Sequence, residues 1–293
     1  LVDFELLEES NLQSKLAELK PDEIYNLAGQ SLVSASFGQP LYTTRANGIA
    51  VAHMLEILRQ GHPHVRFYQA STSEMFGRAP VAPQNETTGF FPQSPYAIAK
   101  VYAHWLTVNY RQAYGLHACS GILFNHESPL RGLNFVTRKI SSTLARIKAG
   151  AVPEGETLAV GNLEAKRDWG FAGEYVDGMW RMLQHPVPDD YVLATGRTHS
   201  VRDFVAAAAA ALGYEIAWEG RGLAETGRDR HSGRLLVSVD AANFRPVDVD
   251  VLVGDAGKAL RVLGWQAATS FAALVAMMVE ADFDRARRGA PFL

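Results

Sequence analysis

Short apolar runs alternate with amphipathic helical patterns, and this alternation constrains the chain more than any other feature of its sequence. Runs rich in apolar, β-branched and aromatic residues predict strands at 22–28, 65–71 and 118–124. Helical patterns precede and separate these runs, at 8–19, 40–60 and 96–114. Because parallel strands are joined by helical crossovers, this order predicts an α/β fold with a doubly wound parallel sheet, a Rossmann-like domain.

The elements become shorter after Gly132. Predicted helices lie there at 135–148, 174–184, 201–212 and 269–288, and predicted strands lie at 158–160, 191–195 and 215–218. The stretch from Gly220 to Arg234 is charged and glycine-rich, which indicates a mobile loop. We therefore expect a boundary after residue 132. A smaller C-terminal α/β domain would occupy most of 133–293, with some segments returning to the first domain.

Composition excludes several classes of protein. The apolar content of 47% is ordinary for a globular chain, and the net charge of −3 favours neither a nucleic-acid partner nor an anionic membrane surface. The single cysteine, Cys119, excludes an internal disulfide and fits a reducing, cytoplasmic compartment. No stretch has the length of a membrane span, and the N-terminus lacks the pattern of a signal peptide. His62 and His64 lack a third ligand nearby, so we expect no metal.

Three predicted strands end on small or polar residues, at 28–31, 71–74 and 125–128. The carboxyl ends of parallel strands meet at one edge of the sheet, and ligands of open α/β sheets bind there. The sequence therefore predicts a binding site at this edge.

Tyr96 and Lys100 are four residues apart on a predicted helix that opens after Pro95, so the two side chains share one face. An ammonium about 4 Å from a phenol, at an effective dielectric near 20, is worth about 4 kcal/mol, or about three pKa units. Such a tyrosine can act as a base near neutral pH. With the hydroxyls and the Glu74 carboxylate at the end of the preceding strand, this pair predicts an active site that moves protons and hydride.

Longer motifs resemble one family of the extended short-chain dehydrogenase/reductase superfamily, the GDP-mannose 4,6-dehydratases. The similarity covers essentially the whole chain, and its motifs are Asn-Leu-Ala-Gly-Gln-Ser at 26–31, Ala-Ser-Thr-Ser-Glu-Met-Phe-Gly at 70–77, Ser-Pro-Tyr-Ala-Ile-Ala-Lys at 94–100, Phe-Asn-His-Glu-Ser-Pro at 124–129, Val-Thr-Arg-Lys-Ile at 136–140, Arg-Asp-Trp-Gly at 167–170 and Phe-Arg-Pro at 244–246. Thr-Ser-Glu together with Asn-His-Glu-Ser-Pro distinguishes this family from its dTDP-glucose relatives, which resemble Thr-Asp-Glu.

The resemblance implies the dehydration of GDP-mannose to GDP-4-keto-6-deoxy-mannose with bound NADP, by a dimer or tetramer. The first domain would bind NADP and the second the sugar nucleotide. The implied catalytic residues are Thr72, Ser73, Glu74, Tyr96 and Lys100. The implied NADP-binding residues are Glu5, Leu6, Leu27, Ala28, Gly29, Gln30, Ser31, Tyr42, Lys100, His126 and Arg131. The implied substrate-binding residues are Asn125, Lys139, Arg167 and Arg245.

This chain departs from the family pattern at a few positions. Asp248 stands where the family has Glu, and Leu130 stands where it commonly has a basic residue. The family also begins with a strand, a Gly-rich turn and a helix, roughly sixty residues that hold the cofactor pyrophosphate and are absent from this sequence. We expect the natural chain to be longer, because strands that pair with the missing ones would otherwise form an open apolar edge. The alternative is a variant that has lost this segment.

Two other functions remain open from the residues. A sugar-nucleotide 4-keto reductase or epimerase of the same superfamily needs the Tyr96 and Lys100 pair but not Glu74. A catalytically inactive sensor of sugar nucleotides or dinucleotides would need none of the catalytic side chains, and their presence argues against it.

Overall fold

A computed structural model describes residues 1–153, 155–243 and 251–292, so the predictions for Arg245 and Asp248 lie outside the described residues. The chain divides into two compact units. Unit 1 consists of Leu1–Phe124, Glu174–Gly196 and Leu252–Ala267, and unit 2 consists of Asn125–Gly173, Arg197–Val251 and Ala268–Leu293. The boundary after Phe124 precedes the one expected after residue 132, and the binding roles of the two parts stay predictions.

The helices in chain order are α1 (Glu9–Leu19), α2 (Val33–Gly38), α3 (Pro40–Thr44), α4 (Ala50–Gly61), α5 (Pro95–Tyr114), α6 (Val136–Lys148), α7 (Ala172–Gln184), α8 (Val201–Ala211), α9 (Gly257–Leu263) and α10 (Phe271–Arg288). The strands are β1 (Glu23–Asn26), β2 (Arg66–Thr72), β3 (Ala118–Leu123), β4 (Asn125–Glu127), β5 (Leu158–Val160), β6 (Lys166–Arg167), β7 (Trp169–Phe171), β8 (Asp190–Leu193), β9 (His199–Ser200), β10 (Ile216–Glu219), β11 (Thr226–Asp229), β12 (Leu235–Val239) and β13 (Val251–Leu252).

Unit 1 is built on a parallel sheet with the strand order β1-β2-β3-β8. Strand β3 is buried along its whole length, as expected for a strand covered on both faces. One face packs against α1, α4 and α5, and the other packs against α7 and the segment around Trp265. The predicted α/β class and parallel sheet are therefore confirmed. Since β1, β2 and β3 are neighbours, their carboxyl ends lie at one edge of the sheet.

Helix α5 has a defined start and end that follow from its sequence. The Ser94 hydroxyl accepts a hydrogen bond from the Ala97 amide at 3.1 Å, and Pro95 occupies the first turn, where its missing N–H costs nothing. Gly115 ends the helix in the left-handed region at φ 70°. These caps set where α5 begins and ends.

A single long helical segment runs from α3 into α4 through a π-helical turn at Arg45–Ile49. The sequence pattern at 40–60 predicts this segment correctly but contains no sign of the turn. A π-helical turn accommodates one extra residue and changes the direction in which side chains leave the helix. Asn47, at its centre, is buried.

In unit 2 the strands β10, β11, β12 and β5 form a sheet in that order. Strand β11 pairs antiparallel with both β10 and β12, so the mobile loop expected at 220–234 is wrong for residues 226–229. The prediction failed because this strand, Thr-Gly-Arg-Asp, carries charged residues and a glycine instead of the alternating apolar pattern of a strand.

Helices α6, α8 and α10 pack together in unit 2 around an apolar core. A charged cluster lies within this layer. The Arg138 guanidinium and the Asp282 carboxylate are fully buried, with Nε 2.9 Å from Oδ2, and Ser141 donates a hydrogen bond to the same carboxylate at 2.6 Å. Asp282 thereby fastens the last helix to α6.

Across residues 1–153, 155–243 and 251–292, we find no helix with both the length and the apolar character that crossing a membrane requires.

Candidate active site

The end of β2 carries the hydroxyl and carboxylate residues predicted from the sequence. Thr72 is the last residue of the strand, and Ser73–Met75 form a single 3-10 turn after it. The Thr72 hydroxyl oxygen accepts a hydrogen bond from the Glu74 amide at 3.2 Å, which leaves the hydroxyl proton free to be donated elsewhere. Glu74 is partly exposed, whereas Thr72 and Ser73 are buried, and the catalytic roles of all three stay predictions.

Tyr96 and Lys100 lie on the first turns of α5. The Lys100 ammonium is buried and donates a hydrogen bond to the carbonyl of Ala70 in β2 at 2.9 Å. The same nitrogen lies 5.9 Å from the centroid of the Tyr96 ring. Burial lowers the pKa of Lys100 to about 8, because removal from water disfavours the charged form.

The field of the Lys100 ammonium acts on Tyr96 at this separation. A positive charge near the ring favours the ionised phenolate of Tyr96, because an opposite charge favours the charged form of an ionisable group. The arrangement can therefore hold Tyr96 ready to accept a proton.

The loop at 27–31 follows β1 at the same edge of the sheet. Asn26 donates a side-chain hydrogen bond to Gln69 of β2 at 2.8 Å and accepts one from the Ala28 amide at 3.3 Å. Leu27 is 57% exposed although it directly follows a buried residue. An exposed apolar side chain beside exposed backbone is a surface on which a flat ring can lie.

The remaining predicted cofactor residues of unit 1 have different environments. Tyr42 is half exposed on α3, and Leu6 is partly buried against the core that includes α1 and α4. Glu5 is exposed and accepts a hydrogen bond from the Leu7 amide at 3.0 Å. The cofactor-binding roles of these three residues stay predictions.

In unit 2, Asn125, His126 and Glu127 form β4, which pairs in parallel with β7. Asn125 and His126 are partly exposed, whereas Glu127 is buried. Glu127 accepts a hydrogen bond from the Thr137 hydroxyl at 2.6 Å, and its carboxylate lies 3.2 Å from Nε of Arg131. Burial raises the pKa of Glu127 despite these two partners.

The guanidinium of Arg131 is held on two sides. Its carbon lies 3.5 Å from the centroid of the Phe135 ring, a cation–π contact, and its Nε faces Glu127. Arg138 also donates a hydrogen bond to the Arg131 carbonyl at 2.7 Å. The position of this predicted cofactor residue is therefore fixed within unit 2.

Two of the predicted substrate residues are described in unit 2 with defined partners. Lys139 donates a hydrogen bond to the Asn243 side chain at 2.9 Å and remains partly exposed. Arg167 is buried and donates to the carbonyl of Lys166 at 2.8 Å. Arg245 lies outside the described residues.

Sequence reasoning missed two residues that hold the predicted site in place. Glu127 stands inside the Asn-His-Glu-Ser-Pro motif but received no role, although a carboxylate in a strand of this kind is a signal of a buried ion pair. Asn47 binds the backbone of the loop at 27–31 through its side chain. The available signal was an Asn-Gly pair, two poor helix formers, inside a predicted helix.

The parallel sheet, the hydroxyl-bearing end of β2 and the Tyr-x-x-x-Lys helix define a Rossmann-fold protein of the short-chain dehydrogenase/reductase type. The structure of RMD from Pseudomonas aeruginosa complexed with NADPH has this fold, with a TM-score of 0.82, 22% identity, and coverage of 97% of this chain and 88% of that one.

A family model described as GDP-mannose 4,6 dehydratase matches residues 1–278. The GDP-mannose 4,6-dehydratase of Sinorhizobium fredii is 53% identical over 97% of this chain and 80% of its own length. The human GDP-mannose 4,6 dehydratase is 47% identical over 97% of this chain and 76% of its own length. The chain belongs to the GDP-mannose 4,6-dehydratase family.

Proposed function

We propose that this protein dehydrates GDP-mannose to GDP-4-keto-6-deoxy-mannose, with NADP as a cofactor that is regenerated in each cycle. Membership of the family supports the substrate and the reaction. The observation that carries the proposal is the Lys100 ammonium, which binds the end of β2 beside the Thr72-Ser73-Glu74 turn and faces the Tyr96 ring. A proton acceptor, its cation and a separate carboxylate are the groups that an internal oxidation followed by elimination requires.

The residues of unit 1 fit a dinucleotide. The loop at 27–31 lies at the carboxyl edge of a parallel sheet, its Leu27 side chain is exposed, and the buried Lys100 ammonium can donate to ribose hydroxyls. Leu27 to Ser31 and Lys100 would hold NADP, with Glu5, Leu6 and Tyr42 in adjoining roles. The family resemblance assigns His126 and Arg131 to cofactor binding as well. The chemistry that bound NADP would supply here is acceptance of a hydride from C4 of the sugar and its return to C6.

Tyr96 serves the oxidation by taking the proton of the sugar 4-hydroxyl. Lys100 favours the phenolate that accepts this proton, and Thr72 donates a hydrogen bond to the 4-oxygen from the hydroxyl proton left free by the Glu74 amide. The product of this step is a ketone at C4, which acidifies the proton on C5.

Glu74 serves the elimination. Its carboxylate takes the C5 proton and returns that proton to the departing C6 hydroxyl, so water leaves and Glu74 ends as a carboxylate. After reduction at C6 the sugar needs one proton at C5, and Tyr96 holds the proton that it took from the 4-hydroxyl. Transfer of this proton to C5 balances the cycle. Asn125, Lys139, Arg167 and Arg245 would hold GDP-mannose.

Incubation of the full-length protein with GDP-mannose and NADP, followed by mass spectrometry, tests the proposal. The expected product has lost one water and contains a keto group. An unchanged sugar nucleotide that binds would instead indicate a sensor. A change in stereochemistry or redox state without loss of water would indicate an epimerase or reductase, which needs no Glu74.

We also propose that the protein is a homo-oligomer, a dimer or tetramer, in the cytoplasm. Ile98, Tyr102 and Trp105 lie on one face of α5 and are each about half exposed, so they form an apolar stripe that a second copy can cover. Cys119 is buried and unpaired, which fits a reducing compartment. Cell fractionation tests the location.

A further inference from the structure

The π-helical turn between α3 and α4 directs a polar side chain, that of Asn47, into the protein. Asn47 is 1% exposed. A primary amide buried to this degree costs free energy unless its donors and acceptor are bonded. Its partner is therefore informative about the purpose of the turn, and π-helical turns are found frequently at functional sites.

The Asn47 side chain binds both backbone polar groups of Gln30. The Gln30 amide donates to Oδ1 at 2.8 Å, and Nδ2 donates to the Gln30 carbonyl at 2.8 Å. This pair of bonds resembles the exchange between two hydrogen-bonded residues of neighbouring strands. Because a backbone N–H only donates and a carbonyl only accepts, the opposite orientation of the amide would lose both bonds.

Gly29 is matched to this contact. Its φ of 143° lies in a region that side-chain-bearing residues rarely adopt, and a Cβ there would lie 2.5 Å from Oδ1 of Asn47. The loop can therefore approach the amide closely only with glycine at this position. Gln30 also turns its own side chain back along the loop, since Nε2 donates to the Leu32 carbonyl at 2.7 Å.

One side of the loop is bound to the helix, and the other side is open to solvent. The backbone of Gln30 is fixed from the helix side, whereas Leu27 and Ser31 on either side of it are exposed. We infer that Asn47 is a positioning residue that holds the loop at 27–31 in the conformation that receives the dinucleotide. This inference rests on the proposed role of that loop in binding NADP.

Asn47→Leu tests the inference in the full-length protein, because leucine has the same branched arrangement of side-chain heavy atoms but forms no hydrogen bond. NADPH affinity is measured by fluorescence titration, and kcat is measured at saturating NADP. We expect the Kd for NADPH to rise roughly tenfold, whereas kcat changes less than about twofold, since the loop binds but does not react. Hydrogen exchange of the peptide that contains Gln30, measured without cofactor, should accelerate.

Two further variants separate positioning from folding. Asn47→Asp keeps the acceptor for the Gln30 amide and replaces the donor to the Gln30 carbonyl with a carboxylate oxygen, so NADPH binding should also be weaker than in wild type. Gly29→Ala disturbs the same contact from an exposed position outside the core. If Asn47→Leu fails to fold, this variant should accelerate hydrogen exchange at Gln30 in the absence of cofactor.

Thr43→Val is the matched control. Thr43 is buried in the same helical segment and donates to the Gln39 carbonyl at 2.8 Å, so the variant loses one buried bond without touching the loop. Its NADPH affinity and its exchange at Gln30 should match wild type.

A folded Asn47→Leu protein that binds NADPH as tightly as wild type would overturn the inference. A wild-type protein that fails to bind NADPH would instead overturn the proposed function. In that case hydrogen exchange decides the inference by itself: unchanged exchange at Gln30 in Asn47→Leu removes the positioning role, and faster exchange supports it.

Discussion

The buried ammonium of Lys100 donates its hydrogen bond to a backbone carbonyl, that of Ala70, and not to a carboxylate. A carbonyl bears only a partial charge, so it compensates little for the loss of hydration. The pKa of Lys100 is accordingly lowered to about 8 by burial. The cation on which Tyr96 depends is therefore one that mildly alkaline solution can remove.

We expect kcat/KM for GDP-mannose to fall on the alkaline side with an apparent pKa near 8, because deprotonation of Lys100 removes the charge that favours the Tyr96 phenolate. Initial rates from pH 6 to 10 measure this. Lys100→Arg is the control, since guanidinium stays charged across this range. Its residual activity should lack this limb, and an unchanged limb in that variant would assign the titration to another group.

Glu74→Gln should abolish loss of water and leave the Kd for NADPH within about twofold of wild type, because the amide cannot accept the C5 proton. Product analysis and fluorescence titration measure the two effects. Glu86→Gln is a matched control: Glu86 accepts a hydrogen bond from the Val192 amide at 2.8 Å, and glutamine retains an acceptor there. Loss of cofactor binding in Glu74→Gln would give Glu74 a structural role.

Glu127 should make the protein less stable as the pH rises. Its pKa is raised in the folded state, so the folded protein holds this proton more tightly than the unfolded chain. The stabilisation is complete below the ordinary pKa of 4.5 and is lost as the pH rises through the raised value. Urea unfolding at several pH values between 4.5 and 8 measures this. The free energy of unfolding should decline less with rising pH in Glu127→Gln than in wild type. The exposed Glu164→Gln should follow wild type, and parallel curves for all three proteins would contradict the prediction.

Asp282→Asn should destabilise unit 2 by about 3–5 kcal/mol, because it leaves the fully buried Arg138 guanidinium without its counter-charge. Denaturant unfolding monitored by tryptophan fluorescence measures the loss. Asp284→Asn is the control on the same helix, since Asp284 is exposed and pairs with the exposed Arg288. Equal losses of unfolding free energy in the two variants would show that the buried pair contributes no more to stability than the exposed pair.

Trp105→Glu should lower the molecular mass in solution, because it places a charge in the apolar stripe of α5. Light scattering coupled to size-exclusion chromatography measures the mass. Trp180→Glu provides the comparison, since Trp180 is similarly exposed on α7. An unchanged mass in Trp105→Glu, or a change in both variants, would move the contact between copies elsewhere.

Local patterns in the sequence were sufficient for the framework of unit 1. Strand β2 and helix α5 lie within one or two residues of their predicted bounds. The signals that define them, an apolar run for β2 and the residues Pro95 and Gly115 for α5, are local in the sequence. The sequence also predicts that the carboxyl ends of β1, β2 and β3 lie close together, because helical crossovers join parallel strands. By contrast, the short α2 and the charged β11 carry weak local signals, and tertiary contacts decide them.

The candidate site divides in the same way. Thr72, Glu74, Tyr96 and Lys100 are recognisable because their spacing along the chain carries their chemistry. The buried state of Lys100 and its carbonyl partner depend on packing that no spacing reveals. The role of Asn47 is harder to predict, because it depends on a partner seventeen residues away and on a π-helical turn.

The division into units also limits how this protein can be taken apart. The chain passes from one unit to the other after Phe124, Gly173, Gly196, Val251 and Ala267. Neither unit corresponds to a continuous stretch of coding sequence, so no single truncation or restriction fragment can yield either one intact. To express either unit by itself, its three chain segments would have to be joined by new linkers. A cut at any one crossing leaves the two units joined by the other crossings.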